Sequence, residues 1–269
     1  MIQSMPVLTE TIRDRKISII WWSIGLVVLA GATAAFVPTI RENNEDFQSL
    51  IESIPEGMLT LFGIEDQDIF SPVGLLNSRL YAGIGPVLLA ILGIGLGTSA
   101  IAGEEEGGTL DLLLAQPITR TNLTLQKFGG SAVIVVSVCI AIAIGLLAFN
   151  PLFDLGLAVT NIVAANIALA LHGLLFLSLG LTLGAFLGRK GPSVGIAAGL
   201  TGVFFFVNGL APLVDSLEWA QNLSPFHWLQ SPNYLGTGFH LGFLLLTTAT
   251  TAVLLLAGIA SFNRRDIGV

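Results

Sequence analysis

Apolar residues run along this chain in blocks too long for soluble helices and too uniform for half-buried strands. A helix needs about 20 mainly apolar residues to cross the hydrocarbon of a bilayer. Six blocks meet that requirement: residues 17–37, 80–102, 128–149, 155–187, 193–213 and 239–262. The first is too long for a signal-peptide core and lacks a small-residue cleavage site, so it is expected to be retained. The fourth is long enough to tilt or to include a re-entrant part. The pattern predicts one all-α, polytopic membrane domain over residues 1–269 with six transmembrane helices.

The polar segments between the blocks carry patterns of their own. Over residues 5–16, Val7, Leu8, Thr11, Ile12 and Arg15 share a stripe, and Arg13, Arg15 and Lys16 make a basic end. That predicts an amphipathic elbow helix lying in the membrane interface. In residues 38–79, Phe47, Leu50, Ile51 and Ile54 keep helical spacing until Pro55 stops the run, which predicts a second amphipathic helix. In residues 214–238, Trp219, Phe226, Trp228 and Tyr234 read as an interfacial aromatic belt, and Pro225 and Pro232 imply short broken helices.

Charge is sparse, at 11% of residues against roughly 25% for an ordinary soluble domain. Hydrophobic residues make up 53% and mean hydropathy is +0.83, which excludes a soluble or disordered chain. A net charge of -7 leaves no basic footprint for nucleic acid. The positive charges nevertheless fix an orientation. With the N-terminus in the cytosol, Arg13, Arg15, Lys16, Arg120, Lys127, Arg189, Lys190, Arg264 and Arg265 all fall inside, and only Arg41 and Arg79 fall outside. Both termini are then cytosolic, residues 38–79 and 214–238 are external, and residues 103–127 form a cytosolic loop.

That cytosolic loop holds the densest pattern in the chain. Glu104, Glu105 and Glu106 are followed by Gly107 and Gly108, which can break a helix. Thr109 is placed to cap a new short helix in which Leu110, Leu113 and Leu114 share a face, and Pro117 ends it. Thr119 or Thr121 can cap the next helix, past Arg120 and Lys127. A short helix cannot bury an apolar face alone, so it needs a partner protein or the underside of the bundle. Three adjacent carboxylates point in different directions on a helix and have no histidine beside them, so they are not expected to bind a metal.

Inside the spans, glycine is frequent. Gly83, Gly85, Gly93, Gly95 and Gly97 crowd the second, and Gly180, Gly184 and Gly188 repeat every four residues in the fourth. Helix packing within one chain is the expected use, and a dimer seam the sharper one. His172, Asn166 and Asn208 are polar groups at membrane depth and candidate cargo-contact residues. His172 is expected to make an interhelical hydrogen bond. Cys139 reads as a small buried hydrophobe. One histidine at membrane depth, one cysteine and few methionines make a poor copper path. No His-Glu-x-x-His, Gly-x-Ser-x-Gly or paired intramembrane carboxylate is present, so no enzymatic activity is expected of this chain.

The loop from Glu104 to Lys127 resembles that of the ABC-2 type permeases, the membrane subunits of certain ATP-binding-cassette transporters. The likeness rests on the acidic run, Gly107-Gly108-Thr109-Leu110, Leu113, Leu114, Pro117, Arg120 and Lys127. The segment from Phe262 to Asp266 is similar to the family's ending. Within the family, the loop is similar to that of permeases serving nitrous-oxide-reductase copper assembly. Many exporters share it, so it points to coupling machinery and not to cargo. The resemblance implies a plasma-membrane homodimer with two separate cytosolic ATPase subunits docked on a coupling helix. Residues 104–110, 113, 114, 117 and 120 would carry that coupling. ATP and magnesium would sit on the partner, since no Gly-x-x-x-x-Gly-Lys-[Ser/Thr] segment occurs here. An alternative is a non-transporting scaffold that passes ATP-driven motion to an extracytoplasmic partner.

Overall fold

A computed structural model describes residues 6–42, 71–214 and 216–265. The amphipathic helix predicted around Phe47 to Ile54 lies outside the described residues. The chain is helical throughout them: α1 (Pro6–Asp14), α2 (Lys16–Glu42), α3 (Pro72–Glu106), α4 (Leu110–Leu114), α5 (Arg120–Leu152), α6 (Val159–Leu187), α7 (Lys190–Leu210), α8 (Pro225–Gln230), α9 (Tyr234–Thr237) and α10 (Leu241–Arg264). A 3₁₀ turn, Ala211–Leu213, extends α7, and another spans Glu218–Leu223. Among the described residues, six helices are long and apolar enough to cross a membrane: α2, α3, α5, α6, α7 with its 3₁₀ turn, and α10.

Three boundaries differ from the sequence reading, and the largest difference is at α3, which begins at Pro72 and not at residue 80. Helix α2 continues through Pro38 to Glu42, where the pattern had placed a loop. A proline forfeits one backbone hydrogen bond, but an apolar surrounding favours every bond that remains. The fourth block splits before α6. Residues 153–158 form a connector in which Asp154 and Gly156 take positive φ, and Asn150 clasps Leu157 through both its backbone N–H and carbonyl. Helix α6 is therefore one continuous rod without a re-entrant part.

The centre of the bundle is the contact between α3 and α6, the two most enclosed spans. Glycines make that contact close. A Cβ on Gly180 would sit 2.8 Å from the Ile94 carbonyl oxygen, and one on Gly173 would sit 3.3 Å from the Leu89 side chain. Gly93 and Gly97 likewise face the backbone of α6. Gly184 packs on Thr98 and Ala102. These glycines serve packing inside one chain, not a seam between copies. Gly188 differs from them, because it ends α6 in the left-handed conformation at φ 66°.

Helix α3 contains two π turns, Asn77–Gly83 and Ser99–Gly103. The first has an identifiable cause. Pro86 has no N–H to give the Ala82 carbonyl, so that oxygen needs another donor. Gln230 of α8 supplies it at 2.7 Å.

Candidate functional site

The structure gathers one end of the bundle around the loop that the sequence singled out. The last turn of α3 closes in a Schellman arrangement. The Thr109 N–H reaches the Glu104 carbonyl at 3.0 Å, and the Gly108 N–H reaches that of Glu105 at 3.1 Å, with Gly108 at φ 68°. Gly107 and Gly108 thus break the helix as expected. Thr109 does not cap α4 with its side chain. Its hydroxyl turns back to the Glu104 carboxylate, which offers a charged acceptor in place of a neutral amide bond. Thr119 caps α5 by accepting from the Asn122 N–H at 3.2 Å.

The three carboxylates diverge, and each reaches a different helix. Glu104 pairs with Lys127 of α5. Glu105 pairs with Arg265, just beyond α10. Glu106 accepts from the Lys190 backbone N–H at the start of α7, at 2.9 Å. Basic residues complete the ring from the other side. Arg265 donates to the Ala185 carbonyl at 2.8 Å, in the last turn of α6. Arg120 donates to the carbonyls of Phe262 and Arg265, at 3.0 and 2.7 Å, and lies over the Phe262 ring. Cations thereby satisfy carbonyls that helix C-termini leave open, where the helix dipole also favours them.

Helix α4 hangs beneath this collar. Leu110 is 2% exposed and shares an apolar cluster with Val7 of α1, Ile101, Leu123, Leu181 and Phe262. Leu113, Leu114 and Ile118 pack against the same cluster. The apolar face therefore meets the underside of the bundle. What remains outward is Asp111 and Leu112, and Leu112 is 70% exposed. Sequence reasoning missed Leu112, because its face is defined only once Leu110, Leu113 and Leu114 are seen turned inward. It also missed Arg265 as the partner of Glu105. The only signal was the co-occurrence of a basic pair and an acidic run on one predicted side.

The intramembrane candidates do not converge. Asn166 donates to Tyr81 Oη at 2.8 Å and to the Ile162 carbonyl at 2.9 Å. Asn208 donates to Gln230 Oε1 at 2.6 Å. Both networks end on the first π turn of α3, through Tyr81 and through Ala82. His172 lies elsewhere. It is buried between the rings of Phe176 and Phe226, with centroids 4.9 and 5.0 Å away. The interhelical hydrogen bond expected of it is not made. Neither ring nitrogen has a partner among the described residues, although the backbone of Pro86 and of Pro225 is close by.

The aromatic belt is also corrected. Trp219 is 62% exposed and fits it, but Phe226, Trp228 and Tyr234 are buried. Ser224 explains the difference: it donates to the Phe204 carbonyl and accepts from the Phe226 N–H, which turns α8 into the bundle. Beside Phe226, a cavity of about 480 Å³ opens between α3 and α7, lined by apolar groups such as Val87, Ile91, Ile94 and Phe205, with Thr201 as its one hydroxyl.

Residues 7–267 match the family described as ABC-2 family transporter protein. A probable ABC transporter permease protein NosY from Stutzerimonas stutzeri is 29% identical over 185 residues, 61% of this chain and 66% of the relative. Its counterpart in Pseudomonas aeruginosa is 32% identical over 142 residues, 51% of this chain and 52% of the relative. The matches therefore span just under two thirds of one relative's length and about half of the other's. With six candidate spans and a family match over nearly its whole length, this multi-pass membrane protein belongs to the ABC-2 transporter family.

Proposed function

We propose that the chain is the permease subunit of an ABC transporter, that α4 is its coupling helix, and that two copies work with two separate ATPase subunits. The end bearing the Glu104–Glu106 collar then faces the cytosol, as its excess of Lys and Arg supports. Helix α1 is the interfacial elbow, consistent with Val7 packed inward and Arg13 and Lys16 exposed. ATP and magnesium bind the partner, and this chain contributes no chemistry.

One observation carries the reading. Helix α4 is held rigidly on its bundle side by Leu110, Leu113 and Leu114, and it presents Asp111 and Leu112 to the outside. A push on that outer face is passed to α3 through the 104–109 turn. From there it reaches α5, α7 and the end of α10 through the three carboxylates that close α3. Gly107, Thr109 and Pro117 fix the shape of the connection, and Arg120 locks it to α10.

The test separates docking from folding. Leu112→Asp changes only the exposed face, so the purified permease should keep its thermal stability and lose the ATPase on co-purification. Leu113→Asp and Glu105→Ala should disturb the collar itself and uncouple ATP hydrolysis from movement. Normal ATPase binding and stimulation in all three would remove the coupling role from α4.

A second reading, a mechanical scaffold acting on an extracytoplasmic partner, draws on the pairing of Asn166 and Asn208 with their neighbours and on the apolar cavity, which offer no polar track among the described residues of one copy. Vesicle transport assays with the reconstituted complex distinguish the two. ATP-dependent movement of a solute supports the transporter, and ATP hydrolysis that changes only a bound external partner supports the scaffold.

A further inference from the structure

A second cavity, of about 180 Å³, lies where α1, α3 and α5 meet at the collar end. Its walls differ from those of the apolar cavity. Asp14 and Arg15 come from the junction of α1 and α2, Glu104 from α3, and Lys127 and Ser131 from α5. Leu96, eight residues before Glu104 on α3, forms an apolar wall toward the bilayer interior. The volume is far above the roughly 10–15 Å³ that one water needs.

Three features point to a ligand. Ser131 is 2% exposed as a residue and lines the cavity, and its hydroxyl, bonded to no other described residue, is not sealed off and is open to whatever fills that space. Asp14 and Arg15 are exposed at the cavity mouth and form no ion pair within 4 Å among the described residues, although Arg15 acts through space on the Glu104 carboxylate. The wall holds two acids and two bases, so it is neutral overall while presenting both signs. A bare anion would meet the carboxylates, and a simple cation would meet Arg15 and Lys127. The cavity also stands where the apolar run of α2 begins, the depth of lipid headgroups.

We infer that this cavity binds a phosphate ester bearing a primary ammonium group, as in the headgroup of phosphatidylethanolamine. Arg15 and the Ser131 hydroxyl take the phosphate, Asp14 takes the ammonium, and Leu96 meets the first part of the acyl chain. The site clamps the elbow helix to the ion pair between Glu104 and Lys127. Its lipid therefore helps to hold the collar in place.

The purified full chain is reconstituted in vesicles of equal phosphatidylethanolamine and phosphatidylcholine, extracted in mild detergent, and its retained lipid counted by native mass spectrometry. The two lipids are both zwitterionic and differ in whether the nitrogen can donate. Phosphatidylethanolamine should be enriched about tenfold, the value of one charge-assisted hydrogen bond. Asp14→Ala, at an exposed position, should bring the ratio toward one, and Ser131→Val should remove the hydroxyl, narrow the cavity and lower the retained lipid. Retention of intact lipid assigns the site to the membrane. Saturable binding of soluble glycerophosphoethanolamine with no lipid retained assigns the same chemistry to a soluble source. Equal retention of both lipids with no binding of the soluble ester, or enrichment that both variants leave unchanged, overturns the proposal and leaves a water-filled cavity.

Discussion

At the collar end, the helix termini are tied together by charges; at the opposite end, neutral amides and hydroxyls do the tying. Of the three ion pairs among the described residues, two belong to the collar, Glu104 with Lys127 and Glu105 with Arg265, and their side chains are at most 29% exposed. The third, Arg41 with Asp154 at the other end, is 3.6 Å long and largely solvated, so the charge pair itself contributes little, although Arg41 also donates to the Asp154 carbonyl at 2.8 Å. That end instead uses Tyr81, Asn166, Asn208 and Gln230 to hold the first π turn of α3. Charge pairs at the collar are strong and directional, suited to passing on displacement. Neutral pairs deeper in the bundle avoid the desolvation cost of ions, and they hold a shape rather than move it.

The largest effect should come from the element common to both ends, the glycine contact of α3 with α6. Gly180→Leu places a bulky side chain against the Ile94 backbone, and neither helix can retreat. A loss of at least about 3 kcal/mol is expected. In detergent, size-exclusion profiles should show loss of the monodisperse species. A monodisperse, fully stable variant would mean that the two ends are not joined through this contact.

Next is the collar. Glu105→Gln leaves the half-buried Arg265 guanidinium without its carboxylate, so a destabilisation of about 1–3 kcal/mol is expected. The reversed pair, Glu105→Arg with Arg265→Glu, should recover part of it in thermal unfolding. If the reversed pair is no better than the single variant, the charges are not the tie.

Smaller again is the neutral network. Asn166→Leu, Tyr81→Phe and their combination form a double-mutant cycle whose coupling should be about 0.5–1.5 kcal/mol, the range for one interhelical hydrogen bond in a membrane protein. A coupling near zero would detach α6 from the π turn.

The smallest effect has the opposite sign. His172→Leu removes two unpaired ring nitrogens from an aromatic enclosure, so stability should hold or rise slightly. A loss beyond that of an ordinary packing change would reveal a partner for His172.

The six spans and the broken loop at Gly107-Gly108 were legible because they depend on local signals: apolar run length, glycine at the turn, a threonine cap at Thr119. The fan of Glu104, Glu105 and Glu106 was legible in direction, since adjacent helical residues cannot share a face, but not in partners. Lys190 and Arg265 lie 84 and 160 residues away, and only the fold brings them in. Phe226, Trp228 and Tyr234 misled for a related reason. An aromatic residue near a span end looks alike in sequence whether it sits in the interface or tucks inward. The choice was made by Ser224 reaching the Phe204 carbonyl, a contact that depends on where α7 stands.

The central claim is that α4 receives an ATPase on its outer face. Cys139 is the only native cysteine and is buried, so Leu112→Cys places a single accessible thiol on that face. A short bifunctional cross-linker applied to the assembled complex should join this position to the ATPase subunit. A matching thiol at Trp219→Cys, also well exposed but at the opposite end, should give no such product. Cross-linking at Trp219→Cys, with none at Leu112→Cys, would contradict the account.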